Sequence, residues 1–191
     1  MDDIRIVRPT VTDTALVVVD FQGSLFSTMD KKVGKRTLEK TILLIKSALI
    51  LDLPIVVTEQ YPKGLGLTMD EIRSALGDAY RPLEKVSFSI MGEPSIAKDI
   101  RALGRRSFIL CGMETHVCVM QSAVDLLDEG FTPYVAADAV CSRERLDWEA
   151  GLSVMEGAGA EIVTVETIVF ALLKKAGTPE FKAFSKLLKG E

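Results

Sequence analysis

The sequence is poor in the side chains that most metal and disulfide sites use. It has a single histidine, His116, and three cysteines, with no CxxC pair and no Cys/His zinc spacing. An odd number of cysteines disfavours a disulfide framework and indicates a reducing, cytoplasmic compartment. Because hydrolytic metal sites generally use several protein ligands with histidine prominent among them, we expect no bound metal and no cofactor.

Other features that the sequence lacks exclude further classes of protein. No apolar run reaches the roughly 18 residues of a membrane span, so we expect no membrane partner. The start, MDDIRIVRPT, is charged and lacks the apolar core of a secretory signal. A net charge of −4 gives no reason to expect nucleic acid as a partner. The length of 191 residues predicts one domain, residues 1–191.

Short apolar runs alternate with longer helical patterns along the chain. The run ALVVV at 15–19 is β-branched and unbroken, as in a strand covered on both faces. Further strands are expected at 54–58, before Glu84 and Lys85, and at 107–111, 132–136 and 162–165. Helices are expected at 33–51, 69–76, 94–103, 115–129, 145–156, 168–175 and 180–188. This alternation predicts a three-layer α/β/α fold on a parallel sheet.

In such sheets, ligands bind beyond the carboxyl ends of the strands. The residues expected at those ends are Asp20, Thr58, Glu59, Lys85, Cys111, Gly112 and Asp138. Asp20 is either a turn cap or a carboxylate base at the mouth of the crevice. Lys85 is either a solvated surface lysine or a cation that stabilises a thiolate or an oxyanion.

Cys118 falls about one turn inside the helix expected at 115–129, for which Thr115 is the expected N-cap. It is either a small buried hydrophobe or a nucleophile. The unpaired N–H groups and the dipole of a helix start would lower the pKa of its thiol. Cys111 suits core packing, and Cys141 is expected in a loop. His116, two residues from Cys118 on a helix, points about 200° away and does not face it.

Five segments of the chain are similar to those of a known protein family. They are VVVDFQ, VTEQYPKGLG, LEKVSFS, ILCGMETHVCV and YVAADAVCSR, and they cover about residues 14–165. In this order, and with the GxETxxC pattern, the sequence resembles the isochorismatase-like (cysteine hydrolase) superfamily. The VTEQYPKGLG loop is similar to that of the isochorismatase domain-containing subgroup.

The resemblance implies a Rossmann-like isochorismatase fold with a six-stranded parallel sheet. It implies a catalytic triad of Asp20, Lys85 and Cys118. It also implies a cis peptide bond between Met113 and Glu114, with the backbone N–H groups of Glu114 and Cys118 forming an oxyanion hole. Family members are commonly oligomers, so a homo-oligomer, dimer or tetramer, is expected.

Two departures from family patterns narrow the expected reaction. Nicotinamidases of the superfamily carry a DxH metal motif where this chain has TEQYPKG. True isochorismatases have glycine at the cysteine position, where this chain has Cys118. The expected activity is therefore metal-independent hydrolysis, most simply of a C–N bond, in a small amide or acyl-like substrate.

Candidate substrate-binding residues flank the triad in the sequence, and each has loop packing as its alternative. They are Gln22, Phe26, Glu59, Gln60, Tyr61 and Phe88. Lys63 and Gly64 are candidates for a mobile lid.

Two other functions stay open at this point. One is a protein-interaction module on the same fold, and the other is a redox-sensitive thiol at Cys118. The apolar C-terminal segment IVFALLKKAG suits either a packing helix or an interface helix.

Overall fold

The strands of the chain form one parallel sheet in the computed structural model, which describes residues 8–190. Residues 1–7, with most of the segment considered for a secretory signal, and residue 191 lie outside the described part. The strands are β1 (Thr14–Val19), β2 (Ile55–Gln60), β3 (Pro82–Lys85), β4 (Ser107–Met113), β5 (Thr132–Cys141) and β6 (Glu161–Val163). Their order is β3-β2-β1-β4-β5-β6, which confirms the expected fold class.

Helices connect the parallel strands, since a parallel pair needs a crossover. They are α1 (Gly23–Phe26), α2 (Lys31–Ile50), α3 (Pro62–Leu65), α4 (Asp70–Leu76), α5 (Pro94–Ala102), α6 (Met120–Asp128), α7 (Arg145–Ala158), α8 (Val165–Leu173) and α9 (Pro179–Lys189). The start of α2 is capped by Asp30, whose carboxylate accepts hydrogen bonds from the N–H groups of Lys32 and Val33. None of the helices within residues 8–190 has the length and apolarity to cross a membrane.

Alternate side chains of β1 enter two separate cores. Leu16 and Val18 pack in the core that α2, α4, α8 and α9 cover. Val17 and Val19 pack in the opposite core, beneath α5, α6 and α7. Every residue of β1 is buried, which explains why its sequence is a continuous apolar run rather than an alternating one.

The apolar C-terminal segment packs on the sheet. In α8, Ile168, Val169 and Leu172 belong to the core under α2, while Phe170 is half exposed and makes an edge contact with Phe184 of α9, with ring centroids 5.4 Å apart. Of the two roles open for this segment, core packing accounts for most of its apolar side chains.

One strand is longer than its apolar run predicts. β5 continues to Cys141, with an irregular register opposite β4. Asp138 therefore lies within the strand rather than at its end, and its carboxylate accepts a hydrogen bond from the N–H of Val165 at the start of α8. Cys141, expected in a loop, is the last residue of the strand.

Candidate active site

The candidate site lies at the carboxyl ends of β1 and β4, where the strand order changes direction along the chain. Gly112 of β4 makes the close approach possible. Its φ is +115°, and a Cβ there would lie 1.9 Å from the carbonyl oxygen of Val19. Only glycine fits this position, and it places the end of β4 directly beside Asp20.

Asp20 is held on both carboxylate oxygens. It follows β1 with a left-handed φ of +47° and is fully buried. Oδ1 accepts a hydrogen bond from the hydroxyl of Thr58 at 2.7 Å. Oδ2 accepts one from Nζ of Lys85, also at 2.7 Å. The main chain of Thr58 adds a third contact, because its carbonyl accepts the N–H of Asp20 at 3.1 Å.

Lys85 reaches Asp20 from the edge strand β3, and its side chain is fully buried. Besides Asp20, its ammonium donates to Gln60 Oε1 at 2.6 Å and to the carbonyl oxygens of Phe88 and Ser87 at 2.9 and 3.2 Å. A buried cation needs such a shell of acceptors. With four acceptors around three N–H groups, the ammonium is fully engaged, so Lys85 is a buried site residue and not a solvated surface lysine.

Cys118 completes the cluster. It lies in a turn of π-helix, Thr115–Val119, that precedes α6, and it is 4% exposed. The charges of both Asp20 and Lys85 act on its thiol. The structure thus brings together the three residues that the sequence singled out.

The electrostatics of Cys118 differ from the expectation. Burial, reinforced by the negative charge of Asp20, raises the pKa of the Cys118 thiol to about 12, and the positive charge of Lys85 lowers it only in part. The expected lowering of this pKa by the helix start is therefore wrong. Burial and the Asp20 carboxylate thus favour the thiol over the thiolate, so forming a thiolate requires a base that accepts its proton.

The backbone before Cys118 makes a sharp change of direction. The peptide bond between Met113 and Glu114 is cis. The Glu114 carboxylate is nearly buried and accepts the N–H and Nε–H of Arg143, both at 3.1 Å. Glu114, not Thr115, is the residue before the first turn. The expected N-cap role of Thr115 is wrong, and its Oγ1 is without a hydrogen-bond partner among the described residues.

The remaining histidine and cysteines lie apart from the triad chemistry. His116 directs Nδ1 to the hydroxyl of Ser142 at 2.9 Å and Nε2 towards Asp147 at 3.8 Å. Cys111 is buried in β4, and burial raises the pKa of its thiol. Burial also raises the pKa of Cys141 to about 12. Cys118 differs from both in having a carboxylate and an ammonium next to its sulfur.

Gln22 and Glu59, both expected to contact substrate, make buried hydrogen bonds within the chain. The Gln22 amide is fully buried and bonds to the main chain of Gln60 and Gly66. The Glu59 carboxylate is 1% exposed, and its Oε1 accepts from the N–H and hydroxyl of Thr68 and from Tyr80.

These bonds bear on the lid expected at Lys63 and Gly64. They fix both ends of the segment 60–68, since Gln22 holds Gln60 and Gly66 while Glu59 holds Thr68. Lys63 and Gly64 lie in α3, between the two anchors. The two residues expected to form a lid thus lie between hydrogen-bonded anchors.

Phe26, Tyr61 and Phe88 lie in different surroundings. The Phe26 ring packs on Phe21, with centroids 5.9 Å apart. Tyr61 is half exposed and borders a cavity of about 300 Å³ that also touches Lys85. Phe88 is half exposed, in the segment whose carbonyls Lys85 binds. Tyr61 and Phe88 thus remain candidates for substrate contact, whereas Phe26 is placed as a packing residue.

A larger groove, of about 670 Å³, lies elsewhere on the same face. It is lined by the end of β5 and the starts of α2 and α7, and it includes Arg143 and Trp148 but none of the triad. Among residues 8–190, no group of three or more His, Cys, Asp and Glu side chains is placed to hold a metal ion.

Comparison with known proteins defines the class. The isochorismatase domain model matches residues 14–167. The chain is 40% identical over 153 residues, 78% of this chain and 72% of the relative, to the secreted isochorismatase effector Isc1 of Phytophthora sojae. It is 38% identical over 146 residues, 76% of this chain and 69% of the relative, to isochorismatase domain-containing protein 2 of Xenopus laevis. The chain belongs to the isochorismatase family, in the isochorismatase domain-containing subgroup.

Solved structures share the fold over nearly the whole chain. One, described as the MAR1 ribonuclease of Caenorhabditis elegans, has a TM-score of 0.89 at 35% identity, covering 96% of this chain and 93% of its own. Another, the YcaC gene product of Escherichia coli, is described as an octameric hydrolase of unknown specificity. It has a TM-score of 0.86 at 21% identity and covers 95% and 90% of the two chains.

Proposed function

We propose that this chain is a cysteine hydrolase acting on a small amide or acyl-like substrate, with Cys118 as nucleophile. The observation that carries the proposal is a buried cluster. In it, Nζ of Lys85 lies 2.7 Å from Oδ2 of Asp20, and both charges act on the Cys118 thiol. Such a cluster has the parts that nucleophilic catalysis needs: a nucleophile, a base and a cation that steadies charge.

In the first half-reaction, Asp20 takes the proton of the Cys118 thiol as the sulfur attacks the substrate carbonyl carbon. The carbonyl oxygen becomes an oxyanion, which the N–H groups of Glu114 and Cys118 stabilise. Asp20 then returns the proton to the leaving amine as the C–N bond breaks, leaving a thioester on Cys118. Lys85 keeps its charge throughout and offsets the negative charge of the sulfur and the carboxylate.

In the second half-reaction, Asp20 removes a proton from water, and the resulting hydroxide attacks the thioester. The carbon–sulfur bond breaks, the acid product leaves, and the proton on Asp20 returns to sulfur. The raised pKa of the Cys118 thiol suits this scheme, because burial and Asp20 keep the sulfur protonated until a substrate is present. No metal is needed, so we propose metal-independent hydrolysis without a cofactor.

The test is a screen of small aliphatic and aromatic amides with the wild type, Cys118→Ala and the matched variant Cys141→Ala. Both cysteines are buried, so each substitution costs a similar amount of packing. We expect a substrate whose turnover falls at least about a thousandfold in Cys118→Ala and little in Cys141→Ala. A thioester mass on intact wild type would support the covalent step, and equal turnover in both variants would refute it.

RNA cleavage is the second candidate, because the C. elegans neighbour at 35% identity is described as a ribonuclease. The net charge of −4 and the full burial of Lys85 give little support for phosphate binding at the triad. We therefore prefer the amide or acyl substrate. A fluorescent single-stranded RNA belongs in the same screen, and its cleavage by wild type but not by Cys118→Ala would reverse the preference.

A homo-oligomer is the proposed assembly. The octameric YcaC shares the fold, and several large apolar side chains of this chain are half or more exposed, among them Leu67, Val86 and Leu146. Such side chains are common in surfaces between subunits.

A further inference from the structure

The hydroxyl of Thr58 is a second polar partner of the proposed base, besides Lys85. Thr58 is fully buried near the end of β2, and its Oγ1 lies 2.7 Å from Oδ1 of Asp20. An ionised carboxylate only accepts hydrogen bonds, so the threonine hydroxyl is the donor. The contact is short and excluded from water, which are conditions under which a hydrogen bond to a charged group is strong.

The two oxygens of Asp20 therefore have different tasks. Oδ2 faces Lys85, and the charges of both groups act on the thiol of Cys118. Oδ1 faces Thr58, which takes no part in the proposed proton transfers. A donor on Oδ1 stabilises the ionised carboxylate over the protonated acid, and it also fixes the rotation of the carboxylate about its last bond.

We infer that Thr58 is a positioning residue whose hydroxyl limits the basicity of Asp20 and so keeps the shared proton on Cys118 in the resting enzyme. This inference rests on the proposed function, since it describes the control of the same base and nucleophile. The charged and titratable groups facing Asp20 are Lys85 of β3 and Cys118 of the π-helical turn. Thr58 of β2 is the neutral donor among them.

Removal of the Thr58 hydroxyl should raise the reactivity of Cys118, not lower it. In Thr58→Val, which keeps the shape of the side chain, Asp20 loses a donor and becomes a stronger base. Transfer of the shared proton from sulfur to carboxylate then costs less free energy, so the minor population of thiolate beside protonated Asp20 grows at neutral pH. Alkylation of Cys118 by iodoacetamide at pH 7 should rise about tenfold, as expected for the loss of one hydrogen bond to a charged group. Thr58→Ser, which restores the hydroxyl, should return the rate to that of the wild type.

Two controls separate this effect from loosening of the fold. Thr41 is another fully buried threonine, whose hydroxyl donates to the carbonyl of Ala139 at 3.3 Å. Thr41→Val should leave the rate at Cys118 unchanged. Site-resolved mass spectrometry should show no rise at Cys111 or Cys141 in Thr58→Val. In an Asp20→Asn background, Thr58→Val should have no effect, because no carboxylate remains to be tuned.

The inference is overturned if Thr58→Val leaves the rate at Cys118 unchanged or lower, if all three cysteines accelerate together, or if the change persists in Asp20→Asn. These results need no substrate, so they stand apart from the hydrolase test. If Cys118→Ala keeps full turnover, the proposed function fails whatever Thr58 does. If turnover depends on Cys118 but the labelling does not depend on Thr58, only the role of Thr58 is lost.

Discussion

At the scale of single residues, the carboxylate of Asp20 and the burial of Cys118 control the reactivity of the thiol together. Both raise the pKa of Cys118, which reaches about 12. Both effects therefore slow the alkylation of this thiol by simple reagents, because alkylation needs the thiolate. Under the proposed function this would make the site selective, because a substrate that fits it brings the reacting carbon next to the proposed nucleophile and base.

Asp20→Asn should make the Cys118 thiol more acidic, because it removes a negative charge that opposes formation of the thiolate. We expect its alkylation profile to move to lower pH by roughly one unit, while hydrolysis is lost with the base. The measurement is the site-resolved rate of iodoacetamide labelling between pH 6 and 10, which should be about tenfold faster in the variant at each pH because this range lies below both pKa values. Asp138→Asn is the control, since that carboxylate contacts Lys40 and Val165 instead.

A wild-type Cys118 that labels rapidly well below the ordinary thiol value of about 8.5 would contradict this account. It would mean that the start of the helical turn outweighs burial and the Asp20 charge. An unchanged profile in Asp20→Asn would place the carboxylate too far from sulfur to act as its base.

The sequence predicted the positions of these residues better than their properties. Asp20 and Lys85 follow from strand ends in a parallel sheet, and the GxETxxC pattern points to Cys118. The pKa of Cys118 depends on its burial in the core that it shares with Val19 and Ile90, which is a tertiary property. Thr58 carries no signal beyond its place near a strand end, because its role depends on the rotation of one side chain.

At the scale of elements, the close approach of the paired strands β1 and β4 sets the geometry of the site. Gly112 is the residue that permits this approach. Gly112→Ala would place a methyl group against the carbonyl of Val19, at 1.9 Å before any relaxation. We expect the free energy of unfolding to fall by more than about 3 kcal/mol, beyond the usual range for one substitution. Chemical denaturation monitored by circular dichroism measures it.

Gly130→Ala is the matched control for this prediction. Gly130 also has a positive φ, of +80°, but a Cβ there meets no other atom within 4 Å. Its cost should be that of the backbone conformation alone, about 1 kcal/mol. Equal costs for the two variants would show that β4 can move away from β1, and would remove the steric reason for glycine at 112.

Long elements with strong periodicity could be predicted from the sequence, whereas short or irregular ones could not. α2 and α7 are found within a few residues of their expected bounds. The four-residue helices α1 and α3 lie in segments expected as loops, because one turn carries no periodic signal. The extension of β5 through Asp138 could not be predicted, since a charged residue inside a strand is tolerated here by its bond to α8 and its contact with Lys40.

At the scale of the whole molecule, the property to measure is the number of chains in the assembly. Size-exclusion chromatography with light scattering, over a dilution series at micromolar concentration, should give a mass that is an integer multiple, two or greater, of the chain mass. The apolar side chains exposed around the site, such as Val86 and Phe88, provide the physical reason. A monomer at every concentration would refute the prediction.

The two sets of contacts made by Lys85 limit how the sequences of relatives of this chain can diverge. The same ammonium that pairs with Asp20 also holds the main chain at Ser87 and Phe88. A descendant that lost this lysine would lose the cation and, with it, the anchor of the segment bordering the site. The cation beside Asp20 and the shape of the surface at Ser87 and Phe88 therefore depend on the same residue. A relative without the lysine should be expected to bind different molecules, and not simply to bind the old substrate without turning it over.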